Sequence, residues 1–536
     1  MATLTLICEN NKSTTVELKE RPVAIGRHPD NDIVIKDDLA SRFHCVIEPS
    51  GSGRYSLRDL GSRNGVKVNE QKVQKWMLRP GDSIQVGSHV FRVEAEGGSR
   101  RRERKAPVAK EGDQKWALEL VQMIESLPPK EQLENITLID AKGEVSEALA
   151  GQGPGAMAVR LLLQCASKAR ATDLHFEPKP ESVHVRLRVD GVMVTIVNLP
   201  SQVGEWAMGL IKAACQMKSA GREAVLDGHF SSRIEDRRVD YRASFTPSVH
   251  GQKLVVRVLD LRDTPKSLND LGLAPYMLES VRRVCEQSAG MILVVGPTGS
   301  GKTTTLYNCM RTIDSDRRNV VTIEDPVEYH LSGITQIPAD HDKGNTFGAL
   351  LRSVLRQDPD VILVGEVRDD ETARVAMQAA MTGHLVFSTL HARDTIGGVF
   401  RLLDLGVEPY LVSNSITLIL AQRLVRVLCD DCKRPVNVTP KQATKMGRYL
   451  DGQKQVYTAT GCAKCLRTGY RGRKAVCELL EFNEELRDVI LNKPSIQAIR
   501  KIAEGGLFTT LIQSGWQHVA RGETSIEEID QAIGGL

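Results

Sequence analysis

Short apolar runs and turn residues alternate along the first 96 residues of the chain. The runs include "TLTLICE", "DIVIK", "HCVIE" and "SIQVG", and Gly, Pro, Asn and Asp separate them. Short β-type runs that are broken by turn residues at close intervals are typical of a β-sandwich. The pattern therefore predicts an all-β sandwich over residues 1–96.

A charged segment, "GGSRRRERKAPVAKEGDQK", occupies residues 97–115. It has few apolar side chains to bury, so it is predicted to be a solvated linker. Its arginine run offers an alternative, which is contact with acidic lipid. The next segment, 116–155, is rich in helix-type patterns. It is predicted to be a helical connection, and its role stays open.

Two α/β patterns complete the chain. Residues 156–264 alternate strands with one long helix, "SQVGEWAMGLIKAACQM", and predict a compact α/β domain. Residues 265–536 place the strands "MILVV", "NVVTI", "VILV" and "HLVFS" between helices, which is the pattern of a parallel, doubly wound sheet. A chain of 536 residues is too long for one core, so a multidomain protein is expected.

Composition and charge exclude several classes of function. Hydrophobic residues make up 41% of the chain, aromatic residues only 4%, and the net charge is +4. Scarce aromatic residues and a small net charge argue against a nucleic-acid partner. The N-terminus lacks the pattern of a signal peptide, and no apolar run approaches the roughly 20 residues that span a bilayer. We therefore expect a cytosolic protein.

The stretch "GPTGSGKT" fits the phosphate-binding pattern G-x-x-x-x-G-K-[ST]. It follows the apolar strand "MILVV" and precedes a helix, a context that disfavours a chance match. Backbone N–H groups of such a loop hold the phosphates of ATP, the lysine adds a positive charge, and the threonine hydroxyl reaches Mg²⁺. The predicted ATP-binding residues are Gly296, Pro297, Thr298, Gly299, Ser300, Gly301, Lys302 and Thr303.

ATP hydrolysis also needs a carboxylate that holds the metal ion or orients water. Two predicted strands end in such groups. "VVTIEDPVE" carries Glu324, Asp325 and Glu328, and "VILVGEVRD" carries Glu366 after Gly365, where a generic P-loop ATPase has aspartate. Any one of these acids could instead cap the next helix. Several acids beside a single P-loop favour a catalytic role.

Four of the eleven cysteines form two pairs with the same internal spacing. A redox device needs only one C-x₂-C, whereas two such pairs place four thiolates around one Zn²⁺. Polar turn residues surround both pairs, which disfavours four unrelated cysteines. The predicted ligands of a structural Zn²⁺ site are Cys429, Cys432, Cys462 and Cys465. Cys477 falls outside the spacing and is predicted to be a core residue.

Four motifs in a fixed order carry a resemblance to a known family. They are "GPTGSGKTTTLY", "TIEDPVEY", "LRSVLRQDPDVILVGEVRD" and "TGHLVFSTLHARD". Together they resemble the secretion ATPases of type II secretion and type IV pilus assembly, in which the Gly365-Glu366 pair is the normal form. The resemblance implies a PAS-like α/β domain over 156–264 and a RecA-like ATPase domain over 265–536, with a zinc subdomain at 429–477.

The resemblance also implies roles for residues of the motor. Lys302 and Thr303 would bind phosphate and Mg²⁺, Glu366 would be the Walker B acid, and Glu324 would activate water. Which glutamate is the general base stays open.

His384 and His391 match the family's histidine box, and His391 would sense the γ-phosphate. Without the resemblance, either histidine would be interpreted as a packing residue at a strand end.

Arginines from two domains match family positions near the nucleotide: Arg242, Arg257, Arg352 and Arg356. The first two lie in the α/β domain and would act as arginine fingers. The last two lie four residues apart on one predicted helix, for which a solvated helix face is the alternative.

The resemblance further implies a homo-hexamer on the cytoplasmic face of the inner membrane. There the ring would dock on a platform protein and drive assembly of pilin-like subunits. Retraction motors of the family generally lack the tetracysteine insert, so the cysteines favour an assembly or secretion motor.

The N-terminal motifs "AIGRHPDNDIVI", "LASRFHC" and "LGSRNGVKVN" resemble a forkhead-associated (FHA) domain, a reader of phosphothreonine peptides. The resemblance implies a phosphate site and a peptide contact formed by Arg27, Ser41, Arg42 and Asn64, whereas His44 would be structural. Phe43 and Cys45 depart from the family's usual residues. We expect a working reader, and a relic is the alternative.

The leading hypothesis is thus a mechanochemical ATPase for secretion or pilus assembly that is regulated through phosphothreonine binding. Two alternatives remain. One is a phosphopeptide adaptor that binds ATP but hydrolyses it weakly. The other is a retraction or conjugation ATPase of the same superfamily.

Overall fold

The computed structural model describes two compact units, Met1–Lys110 and Glu111–Leu536. The described residues are 4–8, 15–18, 21–50, 55–69, 71–79, 81–95, 115–129, 136–146, 153–217, 224–234, 237–262, 264–450 and 452–534. The predicted linker at 97–115 lies outside the described residues, apart from its last residue.

The first unit consists of two sheets packed face to face. Its strands are β1 Leu4–Cys8, β2 Thr15–Leu18, β3 Val23–Gly26, β4 Ile33–Val34, β5 Cys45–Pro49, β6 Tyr55–Asp59, β7 Val66–Val68, β8 Gln71–Val73, β9 Lys75–Leu78, β10 Ser83–Val86 and β11 His89–Ala95. The sheet orders are β2-β1-β11-β10-β7-β8 and β4-β3-β5-β6-β9. Ile25 and Leu57 of one sheet and Val66 and Ile84 of the other share one buried core. The predicted β-sandwich is confirmed.

The second unit begins with an antiparallel sheet covered by helices. Its elements are α1 Lys115–Ser126, β12 Ile136–Ile139, α2 Pro154–Ala169, β13 Ala171–Pro178, β14 Ser182–Val189, β15 Val192–Pro200, α3 Ser201–Ala214, β16 Leu226–Ile234, β17 Arg237–Ser248 and β18 Gly251–Leu259. The strand order is β12-β16-β17-β18-β13-β14-β15. Leu162 and Ile211 of the helices pack with Phe176 and Tyr241 of the strands in one core.

The sequence pattern predicts a helical segment over 116–155, but the structure does not show helix throughout it. Its first part forms α1, but the run "ITLI" forms β12, which pairs antiparallel with β16 at the edge of the sheet. The β-branched residues of this run favour a strand. The segment therefore extends the α/β domain instead of only leading to it.

The C-terminal domain follows as a second seven-stranded sheet, with helices on both faces. Its elements are α4 Pro275–Cys285, β19 Gly290–Val295, α5 Lys302–Arg311, β20 Val320–Glu324, β21 Thr335–Pro338, α6 Phe347–Val354, β22 Val361–Val364, α7 Asp370–Met381, β23 Leu385–Leu390, α8 Thr395–Asp404, α9 Pro409–Ser415 and β24 Ile416–Leu428. The strand order is β21-β20-β22-β23-β19-β24-β27, and every pair is parallel except β24 with β27.

The last part of the chain adds a small subdomain and a helical end. Its elements are β25 Arg434–Asn437, α10 Pro440–Met446, β26 Gln455–Thr458, β27 Tyr470–Glu481, α11 Glu484–Asn492, α12 Ile496–Glu504, α13 Leu511–Ala520 and α14 Ile526–Ala532. The β25–β26 hairpin lies between the two cysteine pairs. Among the helices that the structure describes, none combines the length and the apolar character needed to cross a bilayer.

Candidate functional site: a P-loop, a tetracysteine cluster and a loop surface

The P-loop connects the buried strand β19 to helix α5. Gly299 and Gly301 have φ of +77° and +88°, a region that favours glycine. A Cβ on Gly301 would also lie 2.7 Å from Nε2 of Gln422 on β24. The glycines thus let the loop turn closely over the sheet and direct N–H groups towards the N-terminus of α5, where phosphate binds favourably.

Lys302, the first residue of α5, folds back over the loop. Its Nζ donates to the carbonyl oxygens of Gly296 at 2.9 Å and Pro297 at 3.1 Å. Burial lowers the pKa of Lys302, while the nearby Glu366 carboxylate acts in the opposite direction. The neighbouring Thr303 is exposed in the first turn of the helix. Both side chains can therefore serve a phosphate and its metal ion.

Glu366 and His391 lie at the carboxyl ends of neighbouring strands. Glu366 follows β22, His391 follows β23, and the distance from His391 Nε2 to Glu366 Oε2 is 3.7 Å. Burial is the main reason that the pKa of His391 lies below its usual value, and the positive charge of Lys302 adds to the effect. The structure therefore brings Lys302, Glu366 and His391 together, in surroundings that disfavour the charged form of the histidine.

Arg368 links two acids at this edge, a role that sequence reasoning missed. Its guanidinium forms an ion pair with Glu366, and Nη1 lies 3.7 Å from Oδ2 of Asp325. His341 lies on the other side of Asp325, with Nε2 3.5 Å from Oδ2. The sequence signal for this contact is that the arginine in "GEVRD" follows Glu366 by two residues.

Glu324 is the last residue of β20, but its carboxylate is buried and hydrogen-bonded to neighbouring side chains. It accepts hydrogen bonds from the hydroxyl of Tyr307, from Thr322 Oγ1 at 2.6 Å and from Gln336 Nε2 at 3.0 Å. Burial raises the pKa of Tyr307, and its hydrogen bond to the Glu324 carboxylate adds to the effect. None of the hydrogen bonds that the structure gives to Glu324 involves the P-loop. Its role as water activator stays a prediction.

His384 lies at the opposite end of the strand from His391. It precedes β23, and its Nδ1 is 3.0 Å from the carbonyl oxygen of Ala379 on α7. Six residues of extended strand separate the two histidines, which is roughly 20 Å of chain. The structure therefore does not place His384 at the P-loop.

Arg242 and Arg257 are register partners on β17 and β18 and line one groove of about 550 Å³. Arg242 reaches the acidic loop of the motor, where its Nη2 donates to the carbonyl oxygen of Val327 at 2.9 Å and its Nη1 lies 3.7 Å from Glu328. Arg257 lies 3.6 Å from Asp173 within its own domain. Of these two arginines, Arg242 is the one for which the structure describes a contact with the motor.

Arg352 lies in the last turn of α6, and Arg356 lies two residues beyond the end of that helix. Arg352 forms an ion pair with Glu371 of α7, and Arg356 donates to the carbonyl oxygen of Arg352 at 2.8 Å. Both side chains are exposed. The structure does not bring these two residues to the phosphate site within one chain.

The four predicted cysteine ligands form one cluster, in which all sulfur atoms lie within 4.8 Å of one another. Three Sγ–Sγ distances are 4.0, 3.9 and 3.7 Å. Tetrahedral Zn–S bonds of about 2.3 Å place sulfur atoms roughly 3.8 Å apart. Backbone N–H groups of Cys462 and Gly469 also donate to Cys465 Sγ. The residues therefore fit a structural zinc ion, whereas Cys477 is a core residue of β27.

The predicted phosphopeptide residues lie on three loops at one end of the N-terminal sandwich. The backbone N–H of Arg27 donates to the carbonyl oxygen of Ser41 at 3.1 Å. Asn64 donates to the carbonyl oxygen of Leu39 at 2.8 Å and so ties the third loop to the second. The side chains of Arg27 and Arg42 are exposed at this surface. The structure thus brings Arg27, Ser41, Arg42 and Asn64 to one loop surface.

His44 holds these loops from below. It is fully buried, its Nδ1 accepts from the N–H of Ser41 at 3.1 Å, and its Nε2 lies 3.2 Å from the carbonyl oxygen of Gly65. The two unusual neighbours differ in exposure. Phe43 packs on His28 at the surface, with ring centroids 5.2 Å apart, and Cys45 is buried in the core. The unusual residues therefore leave the loop surface intact.

The fold and the sites define a RecA-like P-loop ATPase with a tetracysteine subdomain and an N-terminal β-sandwich. The family model described as "Type II/IV secretion system protein" matches residues 148–531, and the FHA domain model matches residues 23–87. The chain belongs to the type II/IV secretion system protein family and carries an N-terminal FHA domain. The predicted family resemblance is confirmed.

Similar proteins agree with this assignment. "Type II secretion system ATPase E" of Vibrio cholerae serotype O1 is 40% identical over 375 residues, which cover 69% of this chain and 74% of that protein. "Type IV pilus assembly ATPase PilB" of Myxococcus xanthus is 38% identical over 409 residues, 75% of this chain and 70% of that protein. The solved Legionella pneumophila ATPase DotB shares the fold, with a TM-score of 0.54 and 21% identity over 71% of this chain and 96% of that chain.

We predict that the purified chain contains one zinc ion and that Cys465→Ala removes it. Loss of the metal should loosen the 429–477 subdomain but leave nucleotide binding intact, because the ligands lie outside the P-loop. Metal analysis, thermal unfolding and ADP titration measure these effects. Cys477→Ala is the matched control and should keep the zinc. Unchanged stability after chelation would refute a structural metal.

Proposed function

We propose that the chain is the hexameric motor of a type II secretion system or type IV pilus assembly machine, which couples ATP hydrolysis to assembly of pilin-like subunits. The observation that carries this proposal is the convergence of Lys302, Glu366 and His391 at the carboxyl edge of a parallel sheet. The relatives of this chain support the biological setting, because their names place them in secretion and pilus assembly.

The P-loop residues would bind the phosphates of ATP. Their N–H groups, at the N-terminus of α5, would hold the phosphate oxygens, and Lys302 would exchange its bonds to the loop carbonyls for bonds to phosphate. Thr303 and Glu366 would hold Mg²⁺, which neutralises charge on the phosphates when it is bound. A neutral His391 could then hydrogen-bond the γ-phosphate without adding charge.

The arginines would complete the site from other parts of the assembly. Arg242 and Arg257 would act as arginine fingers from the α/β domain, since Arg242 already reaches the acidic loop beside the site. Arg352 on α6 and Arg356 just after it are exposed, which suits a contact with another subunit or domain. Head-to-tail contacts of this kind close into rings. In a homo-hexamer, every subunit would thus have an ATP site that these arginines complete.

The useful output would be movement between the two domains of each subunit, because hydrolysis changes what the arginines contact. The ring would act at the cytoplasmic face of the inner membrane on a platform protein. A retraction motor is less well supported, since the tetracysteine cluster is a feature of assembly and secretion motors in this family. An adaptor with weak hydrolysis would need a site that binds ATP but lacks the acids.

We predict that Lys302→Ala lowers ATP turnover at least about 100-fold, because the ammonium group contacts the phosphates in the ground state and the transition state. Phosphate release by the full chain with Mg²⁺ measures this. Lys501→Ala, an exposed lysine on α12, is the matched control and should leave turnover unchanged. Unchanged ATP turnover in Lys302→Ala would contradict the proposed motor function. Tight nucleotide binding without phosphate release by the unaltered chain would support the adaptor.

A second pair of variants tests which acid activates water. We predict that Glu324→Gln lowers kcat about 100-fold with little change in the Kd for ADP, because the amide keeps the shape but cannot accept the proton. Asp325→Asn is the matched comparison in the same loop. A fall in kcat in Asp325→Asn but not in Glu324→Gln would assign the activation of water to Asp325, which lies beside Arg368 and is more exposed.

For the N-terminal domain, we propose that it binds a phosphothreonine-containing protein and so recruits or regulates the motor. The exposed guanidinium groups of Arg27 and Arg42, the Ser41 hydroxyl and the Asn64 amide lie on one loop surface. A phosphate dianion with a peptide backbone needs this combination of donors. The buried His44 supports the loop surface from inside the fold.

We predict that an immobilised peptide library with a fixed central phosphothreonine retains the full chain and that the matching threonine library does not. Arg42→Ala should weaken binding at least about tenfold, because one charge-assisted hydrogen-bond set is lost. Arg58→Ala is the control, since its guanidinium is paired with Glu48 on the neighbouring strand. Equal retention of both libraries would contradict phosphothreonine recognition.

A further inference from the structure

The loop that leaves the tetracysteine cluster contacts the α/β domain. This segment, residues 466–473, consists of the loop after the cluster and the first residues of β27, and it is named the docking loop. Leu466 packs against the hydrophobic core of the α/β domain. Arg471 donates from Nη2 to the carbonyl oxygen of Pro128, just after α1, at 3.2 Å. The docking loop is therefore a contact surface between domains as well as a part of the cysteine subdomain.

Asp190 is the residue of the α/β domain that binds the docking loop most directly. It occupies the turn between β14 and β15 with φ +49°, next to Gly191 with φ +85°, as in a two-residue type I′ hairpin turn. Its Oδ2 accepts from the N–H of Gly472 at 2.8 Å, and its Oδ1 lies 3.6 Å from Nε of Arg473. The carboxylate is only 10% exposed, and burial raises its pKa, whereas the N–H of Gly472 and the positive charges of Arg473, Arg170 and Arg426 act in the opposite direction.

The cysteine cluster fixes the shape of the docking loop. The N–H of Gly469 donates to Cys465 Sγ at 3.3 Å, and the N–H of Cys429 donates to the carbonyl oxygen of Gly469 at 2.9 Å. Leu466 and Arg467 have φ of +52° and +61°, which residues with side chains adopt only where the surroundings hold them. A metal ion on the four thiolates would therefore also hold the surface that Asp190 binds.

A second contact joins the same two domains. In it, Arg242 of the α/β domain donates to the acidic loop of the motor. Two separate contacts fix the orientation of one rigid domain on another much better than a single contact does. We propose that the docking loop is the platform that fixes the α/β domain on the motor, and that Asp190 is a positioning residue that keeps Arg242 at the acidic loop. The proposal rests on the proposed role of Arg242 as an arginine finger.

Two substitutions separate the docking contact from the fold of the turn. Asp190→Gly removes the carboxylate and keeps the positive φ without strain, and Asp190→Asn keeps an acceptor for Gly472 but loses the charge. We expect kcat for ATP to fall about tenfold in Asp190→Gly and less in Asp190→Asn, with KM changed less than about twofold. Asp430→Ala is the control, because this exposed knuckle residue pairs with Lys433.

A double-mutant cycle tests whether Asp190 acts through Arg242. In an Arg242→Ala background, Asp190→Gly should lower kcat no further, because the residue to be positioned is absent. An equal, additive fall in both backgrounds would overturn the positioning role. If Arg242→Ala alone leaves kcat unchanged, the proposed role of Arg242 fails, and with it the catalytic part of this proposal.

Hydrogen exchange tests the docking contact without using turnover. The amide of Gly472 should exchange more slowly in the unaltered chain than in Asp190→Gly, and chelation of the metal should speed its exchange and that of the 186–191 turn together. Thermal unfolding checks that each variant is folded. If Asp190→Gly is not folded, Arg471→Gln and Asp190→Asn replace it. The amide of Gly472 is again expected to exchange faster than in the unaltered chain. Unchanged exchange at Gly472 in every folded variant would overturn the docking platform.

Discussion

Parallel pairing of the central strands of the motor is the constraint on which the candidate site depends. Crossover helices join parallel strands, so the carboxyl ends of β19, β20, β22 and β23 meet at one edge. There the P-loop, Glu366 and His391 come together although they are distant in sequence. The strands are buried on both faces, and a change of register would move the residues at this edge. The hydrophobic core therefore sets the geometry of the site.

Opposite charges balance one another at this edge. Arg368 lies between Glu366 and Asp325, and Lys302 lies near Glu366 while it bonds to carbonyl oxygens of its own loop. Burial lowers the pKa of both Lys302 and His391, because it disfavours their charged forms. Added negative charge from a triphosphate would offset the burial of Lys302 and favour its charged form. The site thus suits a strongly anionic ligand that arrives with a divalent cation.

Features that depend on contiguous residues could be predicted from the sequence. The P-loop lies between a strand and a helix that are adjacent in the chain, and each cysteine pair is a local C-x₂-C. The strand β12 and the pairing of Arg368 with two acids could not be predicted, because they depend on which elements meet in three dimensions. His384 and His391 share a motif in the sequence, but a full strand separates them in the structure. The contact between Asp190 and Gly472 joins residues 282 positions apart.

The pairings of the four arginines differ in a way that bears on how the motor could work. Arg257 and Arg352 are about half exposed and are paired with Asp173 and Glu371. Exposed pairs of this kind contribute about 0–1 kcal/mol each, whereas hydrogen bonds from arginine to a charged phosphate are worth about 1.5–3 kcal/mol. Exchange of a surface carboxylate for a phosphate is therefore favourable. Arg242 instead contacts a backbone carbonyl of the acidic loop, so its position reports the relative placement of the two domains. The contacts at Asp190 and Arg242 join the same two domains, so a movement that changes the domain orientation has to break or rebuild both of them.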